Sequence, residues 1–262
     1  MYRLDKDSFM KEKSLILILF LSITGIFAQE VRKEEDWKKY DKNGKLLEVG
    51  IVTDSVTTYT KFHSNGKESE LGKIYDFGAT QTWEKFDKNG NLIETGKLSN
   101  EITNYILFYP NGKESERGTI SDKGKTKEWR KLDKEGRLQE VGSLKDGVSQ
   151  YRKYHDNGKQ IEIGKISSNG KTKEWQYFDR NGNLSEIKKN AEGITSYTKF
   201  HKNGKESEVG TIIDENGKKE WKKFDENGLV VETGVLFNGI LDYTNYNAKG
   251  EVTGTGRVVN YQ

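Results

Sequence analysis

The chain has no cysteine, which excludes a disulfide scaffold, a lipid-modified cysteine and a thiol nucleophile. Proline is nearly absent, with one residue in 262. There is no excess of one charge: 44 Lys and Arg face 41 Asp and Glu, and past residue 28 the balance is 40 against 38. A nucleic-acid surface needs a clustered basic excess, so this balance argues against one. Apolar residues are scarce too, at 32%, and mean hydropathy is −0.90. Such values alone would suggest disorder. Against it stand 5 Trp, 13 Tyr and 11 Phe, together with the single Pro. A polar chain rich in aromatics and in Gly (28 residues) suits a thin β structure with little true core.

Long apolar runs are also missing, with one exception. Residues 15–28 read LILILFLSITGIFA, follow Lys11 and Lys13, and end on the small Ala28. A basic lead, a short apolar stretch and a small residue at its end make a secretory signal peptide. A membrane span needs about 20 apolar residues, more than this run holds. Met10 is an alternative start. Cleavage after Ala28 would leave a mature chain from Gln29, with a short linker over 29–36 and a repeat domain over 37–262. The expected address is secreted or periplasmic, at the cell envelope, with no membrane insertion after cleavage.

The rest of the chain is one repeat. Trp37, Trp83, Trp129, Trp175 and Trp221 lie 46 residues apart, and so do Tyr59, Tyr105, Tyr151, Tyr197 and Tyr243. The steps from Trp to Tyr and back are 22 and 24, so the unit is about 23 residues and occurs ten times. Seven residues after each marker comes Gly in all ten units. Eleven after it comes Glu in nine, Gly254 being the exception, and thirteen after it comes Gly in nine, with Lys188 the exception. The unit from Tyr243 lacks the Glu and reads as a cap. The seventh unit is irregular around Glu186–Asn190.

One unit, Trp83-Glu-Lys-Phe-Asp-Lys-Asn-Gly-Asn-Leu-Ile-Glu-Thr-Gly96, shows the local physics. Asp87-Lys88-Asn89-Gly90 predicts a type I turn ending in a left-handed Gly, the three-residue hairpin loop with a bulge. Phe86 is expected across from Leu92, with Glu94 and Gly96 following on that face at two-residue spacing. Trp83, an odd number of residues from Phe86, is expected on the other face beside Thr95. A second turn, often holding Gly, would link each hairpin to the next. Ten hairpins predict an all-β, elongated antiparallel sheet of about twenty strands, roughly 95 Å long at about 4.8 Å per strand.

The recurring cassettes FHSNGKESELG, FYPNGKESERG, YHDNGKQIEIG and FHKNGKESEVG resemble the MORN-repeat variant family, whose bacterial members are often labelled YwqK-type antitoxins. The resemblance covers residues 37–262 and rests on repetition. It implies an elongated antiparallel sheet of stacked hairpins and a role in protein contacts. It brings no catalytic residues.

Four patterns invite a sharper chemistry. Asp87, Asn89, Asn91 and Glu94 echo a calcium loop, but Gly falls at its fourth position where such a loop needs it at the sixth. Turn chemistry is therefore the better reading, and no metal or cofactor is expected. His63, His155 and His201 share one repeat position, in separate hairpins, too far apart to share a metal in a flat array. The recurring Glu suits a cross-strand partner for Lys or a hydrogen-bond acceptor. A glycosidase needs one carboxylate pair, not nine copies of one acid. The row Trp37, Tyr59, Trp83, Tyr105, Trp129, Tyr151, Trp175, Tyr197, Trp221 and Tyr243 is the candidate binding surface. Its rings either pack within the sheet or contact a ligand such as a sugar. The expected function is a non-enzymatic protein–protein interaction, antitoxin-like by resemblance, with polysaccharide or cell-wall binding as the alternative and no nucleic-acid partner.

Overall fold

The computed structural model describes residues 35–167 and 170–259, within one compact unit, Glu34–Gln262. The apolar segment 15–28 and linker residues 29–34 lie outside the described residues. The first strand starts at Glu35, two residues before the Trp37 that opens the period.

The chain runs through β1 (Glu35–Tyr40), β2 (Leu46–Thr53), β3 (Val56–Phe62), β4 (Glu68–Tyr75) and β5 (Thr80–Phe86). It continues through β6 (Leu92–Ser99), β7 (Ile102–Phe108), β8 (Glu114–Ser121), β9 (Thr126–Leu132) and β10 (Leu138–Lys145). The second half holds β11 (Val148–Tyr154), β12 (Gln160–Ile166), β13 (Thr172–Phe178), β14 (Leu184–Ala191) and β15 (Ile194–Phe200). It ends with β16 (Glu206–Ile213), β17 (Lys218–Phe224), β18 (Val230–Phe237), β19 (Ile240–Tyr246) and β20 (Val252–Val259). Every strand pairs antiparallel with its chain neighbours, giving one open twenty-stranded sheet with β1 and β20 at its edges. The predicted all-β stack of hairpins is the observed fold.

Turn chemistry decides where strands stop. The Gly90 amide donates to Asp87 O at 3.0 Å and the Asp87 amide to Asn91 O at 2.9 Å. Gly90 has φ of 94°, which a side chain would strain. The same two bonds close all ten tight turns, from Asp41–Lys45 to Asn247–Glu251. These turns share one side of the sheet, at the strand ends. At the opposite strand ends, Asn100–Glu101, Asp146–Gly147, Glu192–Gly193 and Asn238–Gly239 have positive φ at both residues, as two-residue type I′ hairpins require. Short 3₁₀ turns at Asp76–Gly78 and Asp122–Gly124 serve longer links.

Register corrects one expectation. Phe86 does pair with Leu92, but Lys85 pairs with Glu94 and Trp83 with Gly96. The register shifts by one residue between Lys85 and Phe86. An extra residue at a bulge reverses the facing of everything beyond it. Glu94 and Gly96 therefore join the face of Trp83, and Thr95 pairs with Glu84 on the other. All ten tight hairpins carry this shift.

Two rows then run straight across the strands on one face. In the first, aromatics on odd strands alternate with Gly on even ones: Gly72 lies between Tyr59 and Trp83, and Gly96 between Trp83 and Tyr105. In the second, Lys alternates with Glu: Glu48, Lys61, Glu70, Lys85 and Glu94 are successive neighbours. With only one layer, burial is shallow. The most enclosed side chains are Tyr197, Tyr105, Leu241 and Glu208.

The glycine row is a packing requirement. A Cβ on Gly142 would meet Trp129 Cζ2 at 2.2 Å, whereas one on Gly254 would meet nothing within 4 Å. Gly142→Ala is expected to lower stability by about 1–3 kcal/mol, the usual cost of overpacking. Gly254→Ala is expected to be neutral or stabilising, because it stiffens the unfolded chain. Urea unfolding of the two variants checks the contrast; equal midpoints would refute it.

Candidate binding surface

Eight of the ten marker aromatics are held at the polar tip by a glutamate. The Trp83 Nε1–H donates to Glu94 Oε1 at 2.6 Å, and the Tyr197 hydroxyl donates to Glu208 Oε1 at 2.6 Å. Trp37, Tyr59, Tyr105, Trp129, Tyr151 and Trp221 make the same bond to Glu48, Glu70, Glu116, Glu140, Glu162 and Glu232. This is why Glu recurs eleven residues after the marker. Two units break the rule. Trp175 pairs with Lys188 in place of Gly, and Tyr243 has Gly254 in the place of the Glu.

A lysine completes the cluster. Lys61, Lys85, Lys131, Lys153, Lys199 and Lys223 lie 2.8–3.4 Å from the same carboxylates. Several ammonium groups also sit over rings, Lys153 at 4.9 Å from the Tyr151 centroid and Lys219 at 5.0 Å from that of Trp221. The sequence-predicted row is thus one physical row of half-buried rings, nine of the ten seated on a glycine of the neighbouring strand.

Electrostatics follows from this packing. Burial and the Glu162 carboxylate push the Tyr151 hydroxyl up to about 12. Burial, Glu208 and its charge move Tyr197 further in the same direction. Burial alone would raise the Glu208 carboxyl. The Tyr197 hydrogen bond and the Lys219 and Lys199 charges outweigh it and hold Glu208 below its ordinary 4.5. Glu140 and Glu232 are depressed in the same way, by Lys131 with Trp129 and by Lys223 with Trp221.

At the tight-turn edge, even turns grip the odd turns that follow. The His63 Nε2–H donates to Phe86 O at 2.8 Å, Asn65 Nδ2 to Lys88 O at 2.8 Å, and Lys67 Nζ to Asn89 O at 2.8 Å. His201, Asn203 and Lys205 repeat this on Phe224, Glu226 and Asn227. Asn157 and Lys159 hold Arg180 and Asn181, but the buried His155 Nε2 has no partner among the described residues. His63 and His201 are half-buried staples between turns. The calcium-like Asp87 turns its Oδ1 to the Asn89 and Asn91 amides, at 2.8 and 2.9 Å. The side-chain and backbone bonds from Asn91 hold its carboxyl below the ordinary range.

The concavities lie on the face away from the Trp/Tyr row. One groove of about 870 Å³ is flanked by Val49, Ile51, Thr58, Thr60, Leu71, Lys73, Thr82 and Glu84, and the row residues Trp37, Gly50, Tyr59, Gly72, Trp83 and Gly96 that alternate with them also line it. A second, about 680 Å³, is flanked by Val141, Ser143, Gln150, Arg152, Ile163 and Ile187. A third, about 640 Å³, holds Thr233, Val235, Asp242, Thr244 and Arg257. Sequence reasoning missed these residues because they share no repeat-wide identity. Their only common signal is position, directly before or after the invariant aromatic and Gly.

No family model matches the chain, and no curated protein matches it. Among solved structures, a porin-like protein from Bacteroides uniformis is similar at 10% identity and TM-score 0.19, over 85% of this chain and 92% of that one. A functionally unknown protein from Desulfotomaculum acetoxidans is similar at 8% identity and TM-score 0.21, over 82% and 96%. The periplasmic gluconolactonase of Pseudomonas aeruginosa is similar at 9% identity and TM-score 0.20, over 86% and 85%. Likenesses at these TM-scores carry no argument for fold or activity.

The titrations set a pH window. Depressed glutamates contribute stability above their ordinary pKa of 4.5, and it is lost as pH falls through the lower folded values. Raised tyrosines contribute stability below their ordinary 10.0, and it is lost as pH rises through the higher folded values. Thermal melting is expected to be flat between these limits and to fall beyond both. Glu208→Ala leaves the Tyr197 hydroxyl enclosed without its acceptor, a loss of about 1–3 kcal/mol. It should also weaken the acid-side fall, and a wild-type acid profile in that variant would refute the assignment.

Proposed function

We propose that the chain is a secreted or periplasmic, non-enzymatic repeat protein of the bacterial envelope that binds another protein along its sheet. This is the role implied by its resemblance to the antitoxin-like MORN-repeat variant proteins. The observation that carries the reading is the placement of the grooves. They lie over the glycine-row backbone, between half-exposed Val, Ile and Thr side chains, with Lys and Glu at their margins. Apolar flanks with a charged margin are the make-up of a protein interface. On the other face, eight of the ten Trp and Tyr tips are already engaged by Glu, and Lys ammonium groups lie over several of the rings. That occupancy favours a packing role for the Trp/Tyr row and leaves the grooved face for the partner.

The test starts from envelope proteins retained by the wild-type chain. Replacing Thr58 and Thr60 together with Arg fills the first groove without touching the glycine row. Binding of the purified partner is expected to fall by at least about tenfold, with unchanged circular dichroism and melting. Replacing Lys61 with Ala, on the opposite face, is expected to leave it within about threefold. Groove variants that bind like wild type, or a partner lost only with the Lys61 change, would overturn the reading.

A further inference from the structure

We propose that a second copy of this chain adds to the open edge of β20 through its own β1, extending the sheet head to tail. This goes beyond filling the grooves, since it uses the backbones of the two outermost described strands; Asp36 and Arg257 also line the first and third grooves.

Strand direction makes the addition possible. Odd strands run one way and even strands the other, so an incoming β1 meets β20 antiparallel, as β17 meets β16 within the chain. Strand chemistry matches as well. The segment Asp36-Trp37-Lys38-Lys39-Tyr40 is close to that of the interior strand Glu220-Trp221-Lys222-Lys223-Phe224. Thus β1 is an interior type of strand without a described strand before it. In turn β20 carries its row glycine, Gly256, on the Tyr243 ring, with no described strand after it.

The interior register fixes what would meet. Gly210 pairs with Trp221, and Thr211 with Glu220. By the same offset Gly256 faces Trp37 of the second copy, and Arg257 faces its Asp36. Arg257 already donates to both Asp242 oxygens, at 2.6 and 2.9 Å. The added Asp36 would place a second carboxylate on the other side of that guanidinium. Asp36 is exposed and has no ion pair or side-chain hydrogen bond among the described residues.

The outer edge of β20 lacks the usual protection against strand addition. It holds no Pro and one charged residue, Arg257, and leaves Val252, Val258 and Val259 at 59%, 41% and 61% exposure. The Tyr243 unit reads as a cap on the aromatic face, where Gly254 replaces Glu, but its backbone edge is that of an inner strand. Such a contact joins unlike ends, so association can continue or close into a ring.

Sedimentation equilibrium on the full chain and, in parallel, on residues 29–262 tests this, so that the N-terminal apolar segment is not mistaken for the edge. Both are expected to associate with rising concentration. Asp36→Arg breaks no ion pair or side-chain hydrogen bond among the described residues and opposes Arg257 of the next copy. It is expected to weaken association about tenfold or more, with melting unchanged. Its own β20 edge stays competent, so small amounts added to wild type should stop growth and lower the average mass. A chain of residues 29–262 that stays monomeric throughout overturns the proposal. Association that Asp36→Arg leaves unchanged, or a variant that fails to lower the wild-type mass, overturns it too.

Discussion

The fold depends on an aromatic ring seated on a glycine of the next strand. A single-layered sheet has no second layer to cover its face, so apolar area must be buried between strands of the same sheet. Trp and Tyr do this by lying across the hairpin onto a residue with no side chain. A Cβ on Gly96 would meet Trp83 at 2.0 Å, and one on Gly50 would meet Trp37 at 2.1 Å. The even strand is pressed from its other side too, where a Cβ on Gly118 or Gly210 would meet the carbonyl of Glu128 or Glu220 at 2.4 Å. Ring, glycine and following strand thus form one contact series, and stability passes between neighbours.

The charge balance of the chain has the same origin. Lys and Glu alternate across the strands beside the ring row, so nearly every carboxylate there has an ammonium as neighbour. Exposed pairs of this kind contribute about 0.2–1 kcal/mol each. Here the carboxylate also accepts from a ring N–H or hydroxyl and is half covered by it, which ties charge pairing to ring orientation. Where Lys188 replaces the glycine, the seat is gone, and that lysine turns to Glu186 at 3.1 Å and to the Tyr177 ring at 5.3 Å.

Much of this was legible because each repeat is a copy of the same solution. The Trp and Tyr markers gave the period, Asp87 to Gly90 gave the turn, and Glu94 was readable as a strand acceptor. Facing was not legible. Simple alternation puts Glu94 with Phe86, but one extra residue at the bulge puts it with Trp83. Sequence spacing counts residues and cannot count a bulge that leaves the spacing unchanged from unit to unit. The grooves were invisible for another reason: Val49, Thr60 and Leu71 occupy equivalent row positions with different side chains. Repetition reveals what packing requires and is silent about what varies on top of it.

The grip of even turns on the following odd turns sets the step in which such a chain can change length. His63, Asn65 and Lys67 reach forward to the next hairpin, and the odd turns have no equivalent set reaching onward. Adding or removing 46 residues keeps every grip and every alternation of Trp with Tyr. Adding or removing a single hairpin would leave one turn ungripped and set two like markers side by side. The hairpin is the unit of folding geometry, but the pair of hairpins is the smallest step that leaves the pattern intact.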